Sequence, residues 1–284
     1  MDNIIFDNEL RTRLAIEQVI LLRDPQMSMA YFETLLASQC RAFHQPGTRI
    51  NECQNSQDGY SSKVGQDNYL LGHAEGYYRP VLPPPDVCIF WCQSAPKVTG
   101  GETFWIDGAE LYQALPYRLA QRLDTEGVIY EATWPIQRWQ AEFRVADILS
   151  LRQLLDTDTR CRYELSSEGE LHLFFKTNPI MTGSDGVKRF INGMLAHLPE
   201  IKHPRYQALP VYYKTSNKIH WGNGGLICHN DINQILDAHD ALLHKHRWMD
   251  SDVLLLNNHY VLHGRVNMSM PSERVIFSRF GYWK

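Results

Sequence analysis

The sequence predicts an α+β protein with a mainly β core, and three observations support that prediction. Several segments rich in branched and aromatic residues are typical of strands, namely residues 17–23, 87–92, 128–130, 171–175, 252–256 and 273–280. Segments with helical periodicity are concentrated in the middle of the chain. No repeat, low-complexity tract or clear linker divides the sequence. We therefore expect a single domain over residues 1–284, with a helical insertion around residues 140–245.

The composition is that of an ordinary globular protein, with 44% hydrophobic and 21% charged residues. A net charge of −4 argues against a general nucleic-acid or membrane-surface binder. No apolar run approaches the roughly 20 residues that span a bilayer, and the N-terminus lacks the features of a signal peptide. The six cysteines include no Cys-x-x-Cys pair, so we expect a reducing, cytoplasmic compartment. Cys88 and Cys92 are expected to be buried thiols on one face of a strand.

The N-terminal third begins with a predicted strand and helix. Residues 17–23 form the strand, and Ser28 caps a helix that ends before Pro46. The apolar residues of that helix lie at helical spacing: Tyr31, Phe32, Leu35 and Leu36. The polar, glycine-containing stretch 47–66 is interpreted either as the lid or rim of an active site or as a mobile surface loop.

The triplet His73-Ala74-Glu75 follows a short apolar and aromatic run, residues 67–72, that is typical of a strand ending at the histidine. Side chains two residues apart on an extended backbone point to the same face. An imidazole and a carboxylate at this spacing can therefore bind one metal ion. The prolines in the following stretch, residues 76–85, predict an irregular connection.

Local motifs also define the elements of the middle of the chain. Gly100-Gly101-Glu102-Thr103 predicts a turn, and Asp107 with Glu110 resembles a capping box that opens a helix. Pro116 can open a second helix.

Three further helices are expected beyond the strand at residues 128–130. Two of them cover residues 147–155 and 186–198. Asn230 or Asp231 caps the third, whose spacing places these side chains on it: Ile232, Ile235, Leu236, His239, Leu242 and Leu243. His244 and His246 are interpreted as part of its solvated face.

Residues near the C-terminus complete a possible metal site. His259 and His263 follow the strand at residues 252–256, and Arg274 opens a closing strand. Two imidazoles and one carboxylate on one face of a metal leave three positions open, which suits a non-haem Fe(II) oxygenase. A bidentate oxo-acid cosubstrate and dioxygen (O2) would fill these positions. The distal carboxylate of this cosubstrate needs a binding partner. The planar guanidinium of Arg274 and the hydroxyl of Thr103 are the candidates.

Taken in order, these motifs resemble the TauD/TfdA family of Fe(II)- and 2-oxoglutarate-dependent dioxygenases. The motifs are His73-Ala-Glu75, the Gly-Gly-Glu-Thr turn ending at Thr103, the Asn-x4-His-Gly-Arg run over residues 258–265, and Arg274. Each motif alone is weak, whereas the four in this order are specific. The resemblance covers roughly residues 15–284.

The resemblance implies a double-stranded β-helix, or jelly roll, with flanking helices. It implies that His73, Glu75 and His263 bind iron, with His263 preferred over His259. It also implies that Thr103 and Arg274 hold the distal carboxylate of 2-oxoglutarate. In this fold we expect the two histidines to come from distant strands and to meet as the two sheets close around the site.

Further details favour the branch of the family that hydroxylates amino acids, often carrier-bound, in natural-product pathways. Glu75 replaces the commoner aspartate, and the strand at residues 87–92 combines aromatic residues with cysteines. Alternation places Arg279 on the opposite face from Arg274. The resemblance implies that the family's second late arginine would fall on the Arg274 face near Ser278, and this departure argues against a sulfonate-type substrate. The expected partner is a small-molecule substrate, free or presented on a carrier protein. Arg265 is either a structural ion-pair partner or a substrate contact.

Other functions remain open from the sequence. The same chemistry can give desaturation, whereas halogenation is disfavoured because it needs a metal without the Glu75 carboxylate. A zinc hydrolase could use two histidines and a glutamate with a bound water, but it gives no reason for Thr103 and Arg274. A binding protein that kept the fold and lost turnover is the alternative from a non-enzyme class.

Overall fold

The computed structural model describes residues 8–23, 27–44, 53–54, 61–63, 68–198, 201–207, 209, 211, 218–270 and 274–284. Within the stretch 47–66, only the strand segments Cys53–Gln54 and Ser61–Lys63 are described. The interpretation of the rest of that stretch as a lid or loop lies outside the described residues.

The described part of the chain contains short helices and many strands. The helices are α1 (Asn8–Glu17), α2 (Met29–Gln39), α3 (Gly108–Ala114), α4 (Tyr117–Glu126), α5 (Ile136–Phe143), α6 (Ile148–Leu155), α7 (Met194–His197), α8 (Pro204–Gln207) and α9 (His229–Ala241). The strands up to the middle of the chain are β1 (Val19–Arg23), β2 (Cys40–Phe43), β3 (Cys53–Gln54), β4 (Ser61–Lys63), β5 (Leu70–His73), β6 (Val87–Ser94), β7 (Thr103–Asp107) and β8 (Val128–Trp134). The later strands are β9 (Cys161–Leu165), β10 (Leu171–Thr177), β11 (Ile180–Thr182), β12 (Lys188–Phe190), β13 (Lys218–Trp221), β14 (His244–His246), β15 (Asp252–Asn257), β16 (Val261–Arg265) and β17 (Val275–Trp283). No helix in these described ranges is both long and apolar enough to cross a bilayer.

Two antiparallel sheets form the β core. The larger sheet has seven strands in the order β1-β15-β6-β17-β4-β3, with β2 pairing with β17 as well. The smaller sheet has the order β14-β7-β16-β5. The larger sheet is buried on both faces at β6, because every residue from Val87 to Cys92 is buried. The predicted α+β class with a mainly β core is confirmed.

The two faces of the larger sheet have different partners. Val87, Ile89 and Trp91 face outward and pack against α1 and α2, with the ring of Trp91 centred 5.5 Å from that of Phe32. The alternate residues of β6 face inward and pack against the smaller sheet in a second cluster, whose other members include Leu254, Leu256, Ile276, Phe280 and Val261. Each large apolar side chain buried here contributes about 1.5–3 kcal/mol, so this layer holds the two sheets together. Cys88 and Cys92 share this inner face as buried thiols that form no disulfide.

The smaller sheet is covered on its outer face by helices and by a third sheet. Its residues Leu71, Phe104 and Leu262 belong to the largest core cluster, together with residues of α3, α4 and α9. The third sheet has the order β13-β8-β10-β9. The stretch 140–245, expected to be a helical insertion, therefore carries strands as well as helices.

One expected helix is replaced by a hairpin. Residues 186–198 were predicted to be helical, but Lys188–Phe190 forms β12, which pairs with β11, and only Met194–His197 is helical. The cause is the Asp185-Gly186 turn, since Gly186 has a φ of +74° and the Asp185 carboxylate accepts a hydrogen bond from the Val187 amide. Asp-Gly sequences favour tight hairpin turns over a helix start.

The boundaries of three elements also differ from those predicted. α9 begins at His229 and is capped by the Cys228 thiol, so the prediction of Asn230 or Asp231 as its cap was wrong. His244 and His246 lie in the edge strand β14 and not on a helix face. Residue 17 ends α1, and Gln18, with a φ of +65°, separates that helix from β1. Beyond Ser28, α2 ends at Gln39 and the chain continues as β2, well before Pro46.

Candidate metal centre

His73 and His263 face each other on neighbouring strands. β16 pairs with β5 in a register that places His263 opposite His73, and the two ring centroids are 4.3 Å apart. Directly opposed residues in an antiparallel pair have Cβ atoms about 4.5–5.5 Å apart, close enough for both imidazoles to reach one ion. The expectation that closure of two sheets brings these histidines together was wrong, because hydrogen bonding within one sheet already does so.

Glu75 lies just beyond β5 and is fixed through its backbone by Asn258. The Glu75 amide donates to Asn258 Oδ1 at 2.8 Å, and Asn258 Nδ2 donates to the Glu75 carbonyl at 2.9 Å and to the Pro85 carbonyl at 2.8 Å. Asn258 is fully buried. Sequence reasoning placed Asn258 in a motif but missed this role. No local pattern reveals it, since its partners are backbone groups more than 170 positions away.

Together the three side chains form a compact, buried donor set. Among the described residues, His73, Glu75 and His263 are the group whose ligand atoms all lie within 4.8 Å of one another. His73 Nδ1 is 2.9 Å from the Leu71 carbonyl, to which it donates. This fixes the ring so that Nε2 keeps its lone pair for a metal, 3.7 Å from Glu75 Oε2. Two imidazole nitrogens and a carboxylate oxygen fit the donor set of non-haem Fe(II).

His259, the rival histidine, is engaged elsewhere. The ring bonds to the hydroxyl of Tyr77 at 2.6 Å and to the Asp86 carboxylate at 3.0 Å. The donation from His259 stabilises the ionised carboxylate and helps lower the pKa of Asp86 against the effect of burial. Its two ring nitrogens are therefore satisfied by other side chains, outside the metal-binding group.

Thr103 is buried at the start of β7, opposite Arg265 on β16. Its hydroxyl oxygen accepts a hydrogen bond of 3.1 Å from the indole nitrogen of Trp248. The bond occupies a lone pair of Thr103, which leaves the hydroxyl proton available to an anionic ligand. Sequence reasoning missed Trp248, because it reaches Thr103 from a connection 145 positions later.

Arg274 is buried beside Arg265 and next to the glycine turn. Burial, and then the like charge of Arg265, lower the pKa of Arg274 to about 9. An anion bound here would relieve that repulsion. Gly101 has a φ of +79°, and a Cβ atom on it would lie 3.4 Å from Arg274 Cδ, so this turn packs directly against the arginine. The same turn leads into Thr103, which lies two positions after Gly101.

Arg279 lies on the other face of β17, as the alternation predicts. Its guanidinium pairs with Glu33 of α2 and lies 4.4 Å from the ring centre of Phe43. Arg265 was expected to be either an ion-pair partner or a substrate contact. It donates to the carbonyl of Asn68, at 3.3 Å from Nε and 3.1 Å from Nη2. The bond ties β16 to the segment that leads into β5.

The fold and the grouped ligands define a class: a jelly roll with a buried His-Glu-His centre, as in the mononuclear non-haem oxygenases. The sequence profile of the taurine catabolism dioxygenase TauD, TfdA family matches residues 3–279. The chain therefore belongs to this family. Its members are Fe(II)- and 2-oxoglutarate-dependent dioxygenases, so the protein is an oxidoreductase that uses Fe(II), 2-oxoglutarate and O2.

Solved structures confirm the fold. A taurine dioxygenase from Burkholderia xenovorans superposes with a TM-score of 0.54 at 12% identity, over 99% of this chain and 83% of that chain. AAD-2, in complex with Mn(II) and N-oxalylglycine, gives 0.52 at 11% identity, over 97% and 86%. PvcB from Pseudomonas aeruginosa gives 0.51 at 13% identity, over 96% and 78%. No curated protein sequence matches the chain.

Proposed function

We propose that His73, Glu75 and His263 bind the iron, and that Thr103 and Arg274 hold the distal carboxylate of 2-oxoglutarate. The observation that carries the proposal is the buried group of three ligand atoms within 4.8 Å of one another. Family membership favours this function over a zinc hydrolase or a non-catalytic binding protein. Both alternatives also give no reason for Thr103 and Arg274.

The loaded cofactors supply the oxidising power that places one oxygen atom of O2 on the substrate, with release of succinate and CO2. The protein's own residues prepare the site for this reaction. The Leu71 carbonyl and Asn258 hold His73 and Glu75 in position before any ligand binds. Phe90 and Phe280 cover the ring of His263, at centroid distances of 5.4 and 6.3 Å, and exclude water from that side.

The proposed substrate is an amino acid, free or tethered to a carrier protein, and the proposed reaction is hydroxylation of an unactivated C–H bond. Ser278 supports a substrate without a strong anionic group, because it lies buried on the inner face of β17 where a second cation would be needed. PvcB, described as an Fe, alpha-ketoglutarate dependent oxygenase from an isonitrile synthetic pathway, supports a role in natural-product biosynthesis. A cytoplasmic location is part of the proposal, supported by the buried thiols of Cys40 and Cys92, which form no disulfide.

Two measurements test the proposed function. Addition of Fe(II) and 2-oxoglutarate under anaerobic conditions should produce a weak visible charge-transfer band, and a zinc hydrolase would give none. Succinate release should then be screened against free and carrier-bound amino acids, with mass measurement of each product. A gain of one oxygen supports hydroxylation and a loss of two hydrogens supports desaturation. No succinate with any amino acid, in a protein that shows the band, would overturn the substrate class.

A further inference from the structure

The two oxygens of the Glu75 carboxylate have different partners. Oε2 lies 3.7 Å from Nε2 of His73, another member of the group of possible metal ligands. Oε1 accepts a hydrogen bond from the hydroxyl of Tyr78, three residues further along the chain. One oxygen is therefore directed to the metal position while the other is held by a neutral donor.

This division matters because a carboxylate can bind a metal through one oxygen or through both. Three single-point ligands on an octahedral ion leave three open positions, which a bidentate 2-oxo acid and dioxygen need. A second bond from Glu75 would remove one of those positions. The side chain of glutamate has one more rotatable bond than that of aspartate, so its carboxylate orientation is less restricted by the backbone.

Tyr78 is itself held firmly enough to restrict Glu75. It lies within a turn in which the Arg79 amide donates to the Gly76 carbonyl at 3.2 Å, with Gly76 at a φ of +82°. The Tyr78 ring packs on His197, with centroids 4.0 Å apart. A Cβ atom on Gly193 would lie 2.8 Å from Tyr78 Cδ1, so the ring also fills the space that this glycine leaves.

We propose that Tyr78 is a positioning residue that holds Glu75 as a one-oxygen ligand, and so keeps a coordination position open for the cosubstrate and dioxygen. The inference rests on the proposed function, because it needs Glu75 to bind the metal. Tyr78 acts through Glu75 and has no role in the chemistry of its own. We call this contact between Tyr78 and Glu75 the clamp. It requires a glutamate, because an aspartate at position 75, one methylene shorter, would not reach both the metal and Tyr78.

The variant Tyr78→Phe tests this role, and Tyr77→Phe is its matched control. Both remove one phenol hydroxyl from adjacent, partly buried tyrosines, but the Tyr77 hydroxyl is bonded to His259. The probe is Co(II), added to metal-free protein without oxygen and followed by its visible absorption. We expect Tyr78→Phe to weaken Co(II) binding about tenfold or more and to change the absorption bands as Glu75 becomes bidentate. Tyr77→Phe should retain the affinity and spectrum of the wild type.

A second variant covers the case in which Tyr78→Phe does not fold. Gly193→Ala keeps the hydroxyl but displaces the ring through its added Cβ atom, and it should cause the same spectral change. If the wild type binds Co(II) and both variants bind it with an unchanged spectrum, Tyr78 has no positioning role and the proposed function stands. If the wild type shows no Co(II) binding at all, the metal assignment itself is wrong and this inference fails with it.

The coupling between the two residues gives an independent check. Tyr78→Phe should have a large effect on Co(II) affinity in the wild-type background and almost none in the Glu75→Asp background, since the shorter side chain has already lost the contact. Strictly additive effects in this double-mutant cycle would contradict the clamp.

Discussion

The two ends of the site are built on different principles. At the metal end, His73 and His263 lie opposite each other on paired strands of one sheet, and Asn258 fixes the backbone of Glu75. At the anchor end, Thr103 comes from the smaller sheet, and Arg274 lies directly before β17 of the larger one. The metal end is preorganised by the fold, whereas at the anchor end burial and the like charge of Arg265 lower the pKa of Arg274, so that a bound anion would favour its charged form.

This contrast predicts a complete loss of function at the metal end. Glu75→Ala removes one of the three proposed ligands and leaves the two imidazoles without a charge to balance the ion. We expect hydroxylated product to fall to background, measured by mass spectrometry of the reaction mixture. Glu110→Ala, which removes an exposed carboxylate on α3, should retain full activity. Wild-type turnover by Glu75→Ala would disprove the ligand assignment.

At the anchor end we expect a graded effect on the cosubstrate. Arg274→Ala should raise the KM for 2-oxoglutarate about 100-fold with a smaller change in kcat, since losing a charge-assisted contact costs about 3 kcal/mol. Arg274→Lys should recover only part of this loss, because an ammonium lacks the planar fork. The control is Arg279→Lys, within β17, whose side chain pairs with Glu33 of α2. An equal rise in KM for that control would mean that the effect is structural.

Ligand binding should also separate the two ends. Since burial and Arg265 lower the pKa of Arg274, the charged guanidinium is destabilised in the free protein. A dicarboxylate such as N-oxalylglycine should therefore raise the melting temperature of the metal-loaded wild type and have little effect on Arg274→Ala. A calorimetric scan of both proteins, with and without the ligand, measures the difference. Equal stabilisation of both would show that the distal carboxylate binds elsewhere.

If the fold preorganises the metal end, the contacts that do so should contribute to the free energy of unfolding. Asn258→Ala leaves two backbone carbonyls and one amide without their buried partner, so we expect the free energy of unfolding to fall by about 3 kcal/mol. Asn257→Ala, which loses one bond to the His259 amide, should lower it by about 1 kcal/mol. Urea unfolding of metal-free protein gives both values. Similar losses for the two variants would contradict the special role of Asn258.

The sequence revealed the chemistry of the site better than its assembly. His73, Glu75, His263, Thr103 and Arg274 were identifiable because their residue types and order reflect the needs of one reaction. The pairing of β5 with β16 was not, since strand neighbours separated by about 190 positions leave no local pattern. The same reason explains why the roles of Asn258, Tyr78 and Trp248 were missed. Their contacts depend on tertiary packing.

Among the helices, prediction succeeded where a serine or aspartate oxygen caps the first turn. Ser28, Asp107 and Asp147 each accept hydrogen bonds from the first turn of the helix that follows. It failed at residues 186–198, where the Asp185-Gly186 turn and pairing with β11 outweigh helical spacing. Apolar spacing also extended α9 too far, because the chain leaves the helix to add β14 to the edge of the smaller sheet. A helix cap depends on residues within one turn of the chain, whereas the pairing of an edge strand depends on residues far away in the sequence.

The smallest predicted effect concerns the residue that orients the anchor hydroxyl. Trp248→Phe keeps most of the buried ring but removes the N–H that donates to Thr103. The Thr103 hydroxyl can then rotate, so we expect the KM for 2-oxoglutarate to rise about fivefold, equivalent to about 1 kcal/mol, while metal affinity stays unchanged. Steady-state kinetics with varied 2-oxoglutarate, beside a Co(II) titration, separates the two quantities. A loss of metal affinity instead would show that the two ends are coupled through this tryptophan, and the division between a preorganised metal end and a ligand-stabilised anchor end would have to be abandoned.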